Sequence, residues 1–257
     1  MRAGHRMSAR ERTAALMLLA LLLGAWEAAA RLLGLSALVL PPPSGVLQTL
    51  WQGLASGYLW PHLRATATAL LLGLVAGCGI GFGAGVLLTE VPVLRRLLMP
   101  YVVVSQVVPK LALMPLFIVW LGFGLAPTVL ITALICFFPL LENTLTGLAQ
   151  VPPAQLELFR MLGATRLQTL LRLKLPTGLP AVLAGVRVAV VLALVGVVVG
   201  EFIGASRGLG ALVIAAQGSM DTPLMFAVLT LVSALGLLLY QGALFLERRL
   251  MQPREQT

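Results

Sequence analysis

Long apolar runs separated by short polar segments dominate the pattern of hydrophobic and polar positions along the chain. Each run approaches the length of about 20 residues that a helix needs to cross the hydrocarbon core of a bilayer. The pattern predicts six membrane helices, at residues 13–30, 65–89, 98–121, 127–148, 180–202 and 222–246. The third and fourth helices share one long apolar stretch, in which Gly122, Gly124 and Pro127 supply the break.

The first apolar run has features of both a membrane helix and a secretory signal. It follows an Arg-rich start and ends in three alanines, residues 28–30, which resemble a signal-peptidase site. However, Glu27 lies beside that site, and the run is long for the core of a signal peptide. We therefore expect a retained first membrane helix, with a cleaved signal as the alternative.

Glycines mark the second predicted helix, and an amphipathic segment precedes it. The glycines at 73, 77, 81 and 85 lie along one helix face and allow another helix to approach closely. Packing inside the membrane explains this row, and a role in a moving interface is the alternative. Within residues 35–64, Trp51, Tyr58 and Trp60 suit the membrane interface, which predicts a short helix lying on the outer surface.

The third predicted helix contains two prolines, Pro109 and Pro115. Each proline removes a backbone donor and kinks a helix. Such kinks are tolerated in membranes where the freed carbonyls face protein or a water-filled path. Helix three is therefore a candidate for lining a transport pathway.

Composition supports a membrane protein and excludes a soluble enzyme or a disordered chain. Of the 257 residues, 59% are hydrophobic and 11% are charged, and the mean hydropathy is +0.99. A soluble chain carries about 25% charged residues and needs them to cover its surface. The formal net charge of +9 would suggest nucleic acid in a soluble protein, but no basic face remains once the spans are removed. We therefore expect no nucleic-acid partner.

The basic residues sort to one side of the six predicted spans. Thirteen of the 18 lie in the two tails and in the loops at 89–98 and 149–179, all on the side of the termini. Because Lys and Arg favour cytoplasmic loops, both termini are predicted to be cytoplasmic. The predicted organisation is a cytoplasmic tail at 1–12, one transmembrane domain at 13–250 with a cytoplasmic loop at 149–179, and a C-terminal tail at 251–257.

The segment 150–180 is the longest polar piece of the chain, and it is predicted to form an ordered elbow. Pro152-Pro153 suits the start of a helix over residues 154–162, and Gly163 suits the left-handed position that ends it. A second helix is predicted from the amphipathic stripe of leucines at 167, 170, 171 and 175. Leu175-Pro176 is expected to bend the chain before the next span.

The elbow resembles the EAA loop of ABC importer permeases, whose pattern is E-A-A-x3-G-x9-I-x-L-P. Glu157, Gly163 and the pair Leu175-Pro176 keep the spacing of that pattern. Leu158 and Phe159 replace its two alanines, and leucine replaces its isoleucine, so the docking surface is expected to be altered rather than lost. Further segments resemble the nitrate/sulfonate/taurine branch of the family: 108–116, 120–124, 137–139, 200–204 and 208–210.

This resemblance implies an all-α membrane protein of six transmembrane helices with the type I ABC importer (MetI-like) permease fold, in the inner (plasma) membrane of a bacterium. It implies two ABC ATPase subunits, a periplasmic or lipid-anchored substrate-binding protein and a second permease subunit, an identical copy in the simplest case, as partners. In such importers ATP binding moves the elbows together and opens the path outward. The residues that would couple to the ATPase are Glu157, Arg160, Gly163, Ala164, Leu175 and Pro176.

The chain itself is not expected to hydrolyse ATP. A phosphate-binding P-loop requires Gly-x4-Gly-Lys-Ser/Thr, whereas the only lysines, Lys110 and Lys174, are each followed by leucine. His5 and His62 have no partners in the pattern that would form a metal site or a catalytic triad. We expect a transport subunit without enzymatic activity, cofactor or metal.

Charged residues inside the predicted spans are candidates for the translocation path. Arg187 either reaches the cytoplasmic interface or lines the path as a cation that favours anionic substrates. Lys110 either lines the path or bonds a carbonyl freed by Pro109, and the family resemblance favours Glu201 as a gate or binding-protein contact near the outer mouth. The candidate path residues are Pro109, Lys110, Pro115, Glu142, Arg187 and Glu201.

Two other functions compete with an importer permease. An intramembrane enzyme is disfavoured because paired catalytic groups are lacking, and an ATP-independent channel or secondary carrier would leave the elbow without a partner. The resemblance implies a small anionic or heterocyclic substrate, such as nitrate, a sulfonate, taurine or a thiamine-precursor pyrimidine. Residues 105–109 and 221–224 look most like the pyrimidine- and riboflavin-type members.

Overall fold

The computed structural model describes residues 9–32, 34, 36 and 38–251, so most of the two predicted tails lies outside it. The described residues are almost entirely helical, and no strand occurs among them. The α-helices are α1 (Ala9–Leu32), α2 (Pro43–Ala55), α3 (Trp60–Glu90), α4 (Pro92–Val107), α5 (Met114–Leu121), α6 (Leu125–Ala149), α7 (Pro153–Met161), α8 (Arg166–Thr169), α9 (Leu175–Gly204), α10 (Leu209–Gly218) and α11 (Thr222–Met251). A 3₁₀ turn, Lys110–Leu113, precedes α5, and a π-helical turn, Leu170–Lys174, joins α8 to α9.

The chain forms two compact units. The N-terminal unit comprises the described residues up to 59 together with 212–231. The central unit comprises residues 60–211 together with 232–251 of the described chain. Each unit has its own internal contacts.

Five helices in the described chain are long and apolar enough to cross a membrane: Thr13–Leu32, Trp60–Glu90, Leu125–Ala149, Arg166–Gly204 and Thr222–Met251. They confirm the first, second, fourth, fifth and sixth predicted spans. The remaining prediction corresponds to a bent pair of helices, and counting that pair as one span gives six.

The predicted third span, at 98–121, is not one continuous helix. α4 ends at Val107, and the 3₁₀ turn and α5 that follow are bent away from it by 85°. Pro109 explains the break because it lacks an N–H donor and favours extended backbone at Val108, where ψ is 125°. Pro115, expected to kink the same helix, instead lies in the first turn of α5, where no N–H is needed.

The turn between α5 and α6 lies where the sequence predicts it. Gly122 and Gly124 have φ of 76° and 123°, which residues with a side chain rarely adopt. The N–H of Gly124 donates to the carbonyl of Gly204 at 2.8 Å, which ties this turn to the end of α9.

Glycines set how closely α3 and α6 approach in the central unit, where α6 packs between α3 and α9. All four glycines of the predicted row, at 73, 77, 81 and 85, are buried. A methyl group on Gly85 would lie 2.6 Å from Cβ of Thr144, and one on Gly77 would collide with the carbonyl oxygen of Ala133. The row therefore confirms the predicted close helix contact.

In the N-terminal unit, a carboxylate on α1 caps α2. Glu27 accepts hydrogen bonds from the backbone N–H and the hydroxyl of Ser44, at 3.0 and 2.8 Å, and pairs with Arg31 at 2.6 Å. A carboxylate suits the positive N-terminal end of a helix such as α2. α1 continues through the three alanines at 28–30 without a break. The predicted helix in segment 35–64 is confirmed as α2.

Candidate functional site

The C-terminal end of α7 has the glycine cap that its sequence predicts. Gly163 has φ of 70°, the left-handed conformation expected there. Its N–H donates to the carbonyl of Arg160, and the N–H of Ala164 donates to that of Phe159, each at 3.0 Å. These two bonds form a Schellman motif, which satisfies carbonyls that the end of a helix leaves unpaired. At the other end, Pro153 occupies the first turn of α7.

A second cap in the elbow was missed by the sequence reasoning. The hydroxyl of Thr165 accepts a bond from the N–H of Gln168 at 3.2 Å, and the Gln168 side chain accepts one from the N–H of Thr165 at 2.8 Å. This reciprocal pair is a capping box, and the spacing Thr-x-x-Gln was its available signal. The chain is therefore held on both sides of Gly163 by local hydrogen bonds.

A π-helical turn after α8 lies directly before Leu175-Pro176, where the sequence predicts a bend. The helix is continuous from Arg166 to Gly204, and Pro176 lies in the first turn of α9. The π-helical turn, Leu170–Lys174, departs from the regular hydrogen-bond pattern in the turn before a proline, which cannot donate an N–H. The elbow therefore continues directly into a membrane helix.

The structure divides the predicted coupling residues into two groups. Glu157, Arg160, Gly163 and Ala164 lie in or directly after α7, whereas Leu175 and Pro176 begin α9. Glu157 and Arg160 are exposed. Two neighbouring apolar side chains of the elbow are also exposed, Met161 at 81% and Leu162 at 73%. The end of α7 thus presents a mixed charged and apolar surface.

A cleft of about 400 Å³ separates the elbow from the junction of α3 and α4. Its lining includes three cations, Arg160, Arg166 and Lys174, and one carboxylate, Glu90. Lys174 Nζ lies 2.7 Å from Glu90 Oε1, and both side chains are about four-fifths buried. Because 84 residues separate the two partners, no local pattern in the sequence indicated this pair.

Glu201, predicted to lie near the mouth of the path, is 2% exposed and holds a turn of the central unit. Its Oε2 accepts hydrogen bonds from the hydroxyl of Thr66 at 2.9 Å and from the N–H of Gly210 at 2.8 Å. The Thr66 hydroxyl accepts in turn from the N–H of Leu209 at 2.7 Å. Leu209 and Gly210 begin α10, so the carboxylate lies at a positive helix end.

A contact of His62 also holds the turn at 205–210 against the start of α3. Nδ1 of His62 lies 3.0 Å from the carbonyl oxygen of Gly208. Gly208 itself has φ of 144°, and a methyl group there would collide with the Glu201 carboxylate. A cavity of about 140 Å³ adjoins the cluster and is lined by Ser206, Arg207 and Glu201 among others. We call Thr66, Glu201, Leu209 and Gly210 the Glu201 cluster.

The other predicted path residues do not form one site with Glu201. Lys110 Nζ lies 3.5 Å from the carbonyl oxygen of Gln106, which the end of α4 leaves without a helical partner, and 4.5 Å from the centre of the Phe138 ring. Arg187 pairs with Glu247 of α11 at 3.2 Å.

Pro109 lies at the bend between α4 and the 3₁₀ turn, and Pro115 lies in the first turn of α5. Glu142 is exposed on α6. Among the described residues, no ion pair or hydrogen bond joins Lys110, Glu142, Arg187 and Glu201 to one another.

No set of three His, Cys, Asp or Glu side chains comes close enough to ligate one metal ion in the part of the chain that the structure describes.

The hydroxyl of Thr66 is expected to stabilise the Glu201 cluster. In Thr66→Val the shape is kept, but the N–H of Leu209 loses its acceptor and the buried carboxylate loses a donor. The expected cost is about 1–3 kcal/mol of stability, because buried polar groups are left unsatisfied. Thermal inactivation of the purified protein in detergent measures it.

Thr132→Val is the matched control for Thr66→Val. Thr132 is equally buried, but its hydroxyl bonds only to the carbonyl of Thr128 one turn earlier in α6. Equal inactivation temperatures for the two variants would contradict the role assigned to Thr66.

The fold is that of a polytopic α-helical membrane protein, in which one ordered polar elbow interrupts the apolar helices. The chain belongs to the family of binding-protein-dependent transport system inner membrane components, whose model matches residues 69–252. This finding confirms the family that the elbow resembles, and with it a permease of the inner membrane.

Several curated relatives cover most of the chain. It is 41% identical to the riboflavin transport system permease protein RibX of Chloroflexus aurantiacus, over 91% of this chain and 87% of RibX. It is 34% identical to the taurine transport system permease protein TauC of Escherichia coli, over 94% and 90% of the two chains. It is also 34% identical to the formylaminopyrimidine transport permease protein ThiX of Halalkalibacterium halodurans, over 90% and 92%.

A solved structure supports the fold. A chain of the methionine ABC transporter MetNI, in an inward-facing conformation, superposes with a TM-score of 0.63 and 22% identity. The match covers 76% of this chain and 98% of the other. The likeness confirms the predicted importer permease fold.

Proposed function

We propose that this chain is the permease subunit of an ATP-driven importer, which forms the translocation path and couples to a separate ATPase through its elbow. The observation that carries the proposal is the construction of α7, capped by hydrogen bonds and ending in exposed Met161 and Leu162. Exposed apolar side chains on an ordered polar segment indicate a protein partner. A segment can transmit force only if it is rigid, and the caps provide that rigidity.

The same proposal assigns the partners and the orientation. Two copies of the chain would form the path, each with its elbow on one of two ATPase subunits, and a substrate-binding protein would dock on the opposite face. Both termini and the elbow would then be cytoplasmic, as the distribution of basic residues predicts. In this orientation Glu157 and Arg160 supply polar contacts to the ATPase. Leu175 and Pro176 join the elbow to α9.

The path is proposed to run along the bend between α4 and α5. Non-helical backbone at membrane depth is tolerated only where it is covered by protein or lines a water-filled cavity. The bend at Val108-Pro109 is such a segment, and Lys110 directly after it provides a cation. Glu201 contributes differently, because its carboxylate bonds the start of α10 to Thr66 of α3. We therefore treat the Glu201 cluster as part of the outer gate.

The substrate is proposed to be a small flat heterocycle of the riboflavin or aminopyrimidine type. The 41% identity to a permease named for riboflavin and the 34% identity to one named for formylaminopyrimidine support this class. The Lys110 cation over the Phe138 ring adds an aromatic and charged surface beside the bend. The identity to a taurine permease is 34%, which makes an alkyl sulfonate the competing class.

Binding to the partner substrate-binding protein is expected to settle the substrate class. Riboflavin, formylaminopyrimidine and taurine are titrated into the purified partner and followed by calorimetry. We expect affinity for one of the two heterocycles and none for taurine. Binding of taurine alone would reject the heterocycle and leave the permease assignment unchanged.

Co-purification tests the coupling to an ATPase. The wild-type chain is expected to retain an ABC ATPase subunit in mild detergent, and a variant with residues 154–162 replaced by a Gly/Ser linker is expected to lose it. A chain that transports its solute with no associated ATPase would instead be a channel or a secondary carrier.

A further inference from the structure

The ion pair between Glu90 and Lys174 joins the elbow to the end of a membrane helix. Glu90 is the last residue of α3, and Lys174 is the last residue of the π-helical turn that leads into α9. Their charged atoms are 2.7 Å apart, with 21% and 19% of the two side chains exposed. Both partners belong to the central unit.

Burial makes this pair stronger than an ordinary surface ion pair. Fully exposed pairs contribute little because water and salt screen them. Removing one partner from a shielded pair is costly, since the other charge stays partly buried without compensation. Here Arg160 and Arg166 also line the cleft, so removal of Glu90 would leave its lining with three cations and no carboxylate. Glu90 is the only carboxylate among the described residues that line this cleft.

The position of Glu90 connects the pair to the helices that would have to move. α3 runs from Glu90 back along the glycine row, where its backbone is in direct contact with α6. A displacement of the elbow that moves Lys174 therefore also moves the end of α3. Because α3 is in close contact with α6, the position of α6 changes as well. Discrete packed elements linked in this way are the physical means by which one site biases another.

We infer that Glu90 and Lys174 form a coupling pair, which transmits movement of the elbow to α3 during the transport cycle. The inference rests on the proposed function, because it presumes that an ATPase moves the elbow. Both are positioning residues: neither would touch substrate or nucleotide. Their contribution is to couple ATP hydrolysis to substrate movement.

The test measures solute uptake per ATP hydrolysed in proteoliposomes that contain the complete transporter with its ATPase and binding protein. The variants are Glu90→Gln, Lys174→Gln and the charge-swapped double variant Glu90→Lys/Lys174→Glu. Arg172→Gln is the matched control, because it removes a cation two residues from Lys174 that does not line the cleft. The amount of ATPase that co-purifies reports whether each variant assembles.

We expect each single variant to assemble and hydrolyse ATP but to lower uptake per ATP about fivefold, a size that is typical of coupling positions. The double variant is expected to recover most of the wild-type ratio, and Arg172→Gln to keep it. Single variants with the wild-type ratio, a double variant no better than the singles, or singles that fail to assemble would each overturn the inference. If the wild-type transporter shows no ATP-dependent uptake, the proposed function fails instead.

Discussion

Gly163→Asp is expected to abolish transport while the protein still accumulates in the membrane. Gly163 ends α7 with φ of 70°, and the space around a side chain at this position is open, with no atom within 4 Å of an added Cβ. An aspartate there would fit the chain but project a negative charge from the surface that we assign to ATPase docking. The measurement is solute uptake in cells, with the amount of membrane-inserted protein determined in parallel.

Gly163→Asn separates the effect of charge from the effect of backbone conformation. Asn and Asp have nearly the same shape, and both tolerate the left-handed conformation better than other residues with a side chain. Uptake is therefore expected to survive in Gly163→Asn and to be lost in Gly163→Asp. Gly163→Val adds a backbone cost of about 1–2 kcal/mol at a left-handed position, and is expected to weaken docking by disordering the end of α7. Normal uptake by Gly163→Asp would reject the docking surface.

Gly77→Ala is expected to produce a large loss of folded protein. Its new methyl group would collide with the carbonyl oxygen of Ala133 and lie 2.8 Å from Cβ of Cys136. Backbone atoms cannot rotate away as a flexible side chain can, so α3 and α6 would have to separate. Overpacking of this kind costs about 1–3 kcal/mol. The inactivation temperature in detergent and the yield of monodisperse protein measure it.

The same helix supplies the control for Gly77→Ala. Gly79 lies two residues further along α3, on a face where an added Cβ meets nothing within 4 Å. Gly79→Ala is therefore expected to leave stability unchanged or to raise it slightly, since alanine favours a helix over glycine by about 1 kcal/mol. A similar loss in both variants would mean that the contact with α6 does not set the effect.

Local patterns predicted the parts of the structure that depend on neighbouring residues. The glycine row predicted the close approach of α3 to another helix because its four-residue spacing keeps one face free of side chains. Pro153 and Gly163 predicted the ends of α7 because each favours a specific backbone conformation at a helix terminus. The spacing of Glu157, Gly163 and the pair Leu175-Pro176 in the elbow also indicated the family.

Features that depend on distant residues could not be predicted in the same way. Prolines occur inside α4, α6 and α9 without ending them, so the sequence did not distinguish Pro109 as the residue that breaks a span. Thr66, which donates to Glu201, is 135 residues from it, and Glu90 is 84 residues from Lys174. The charge pattern indicated that Glu201 was unusual but did not single out Lys174, and only the fold determines which groups bond to these side chains.

Uptake into proteoliposomes tests whether the chain is a permease driven by a separate ATPase. The purified chain is reconstituted with its co-purifying ATPase, and the binding protein and radiolabelled solute are supplied outside. We expect uptake that requires both internal ATP and the binding protein, and that stops when the ATPase is omitted. Uptake at the same rate without ATP or without the ATPase would contradict the account.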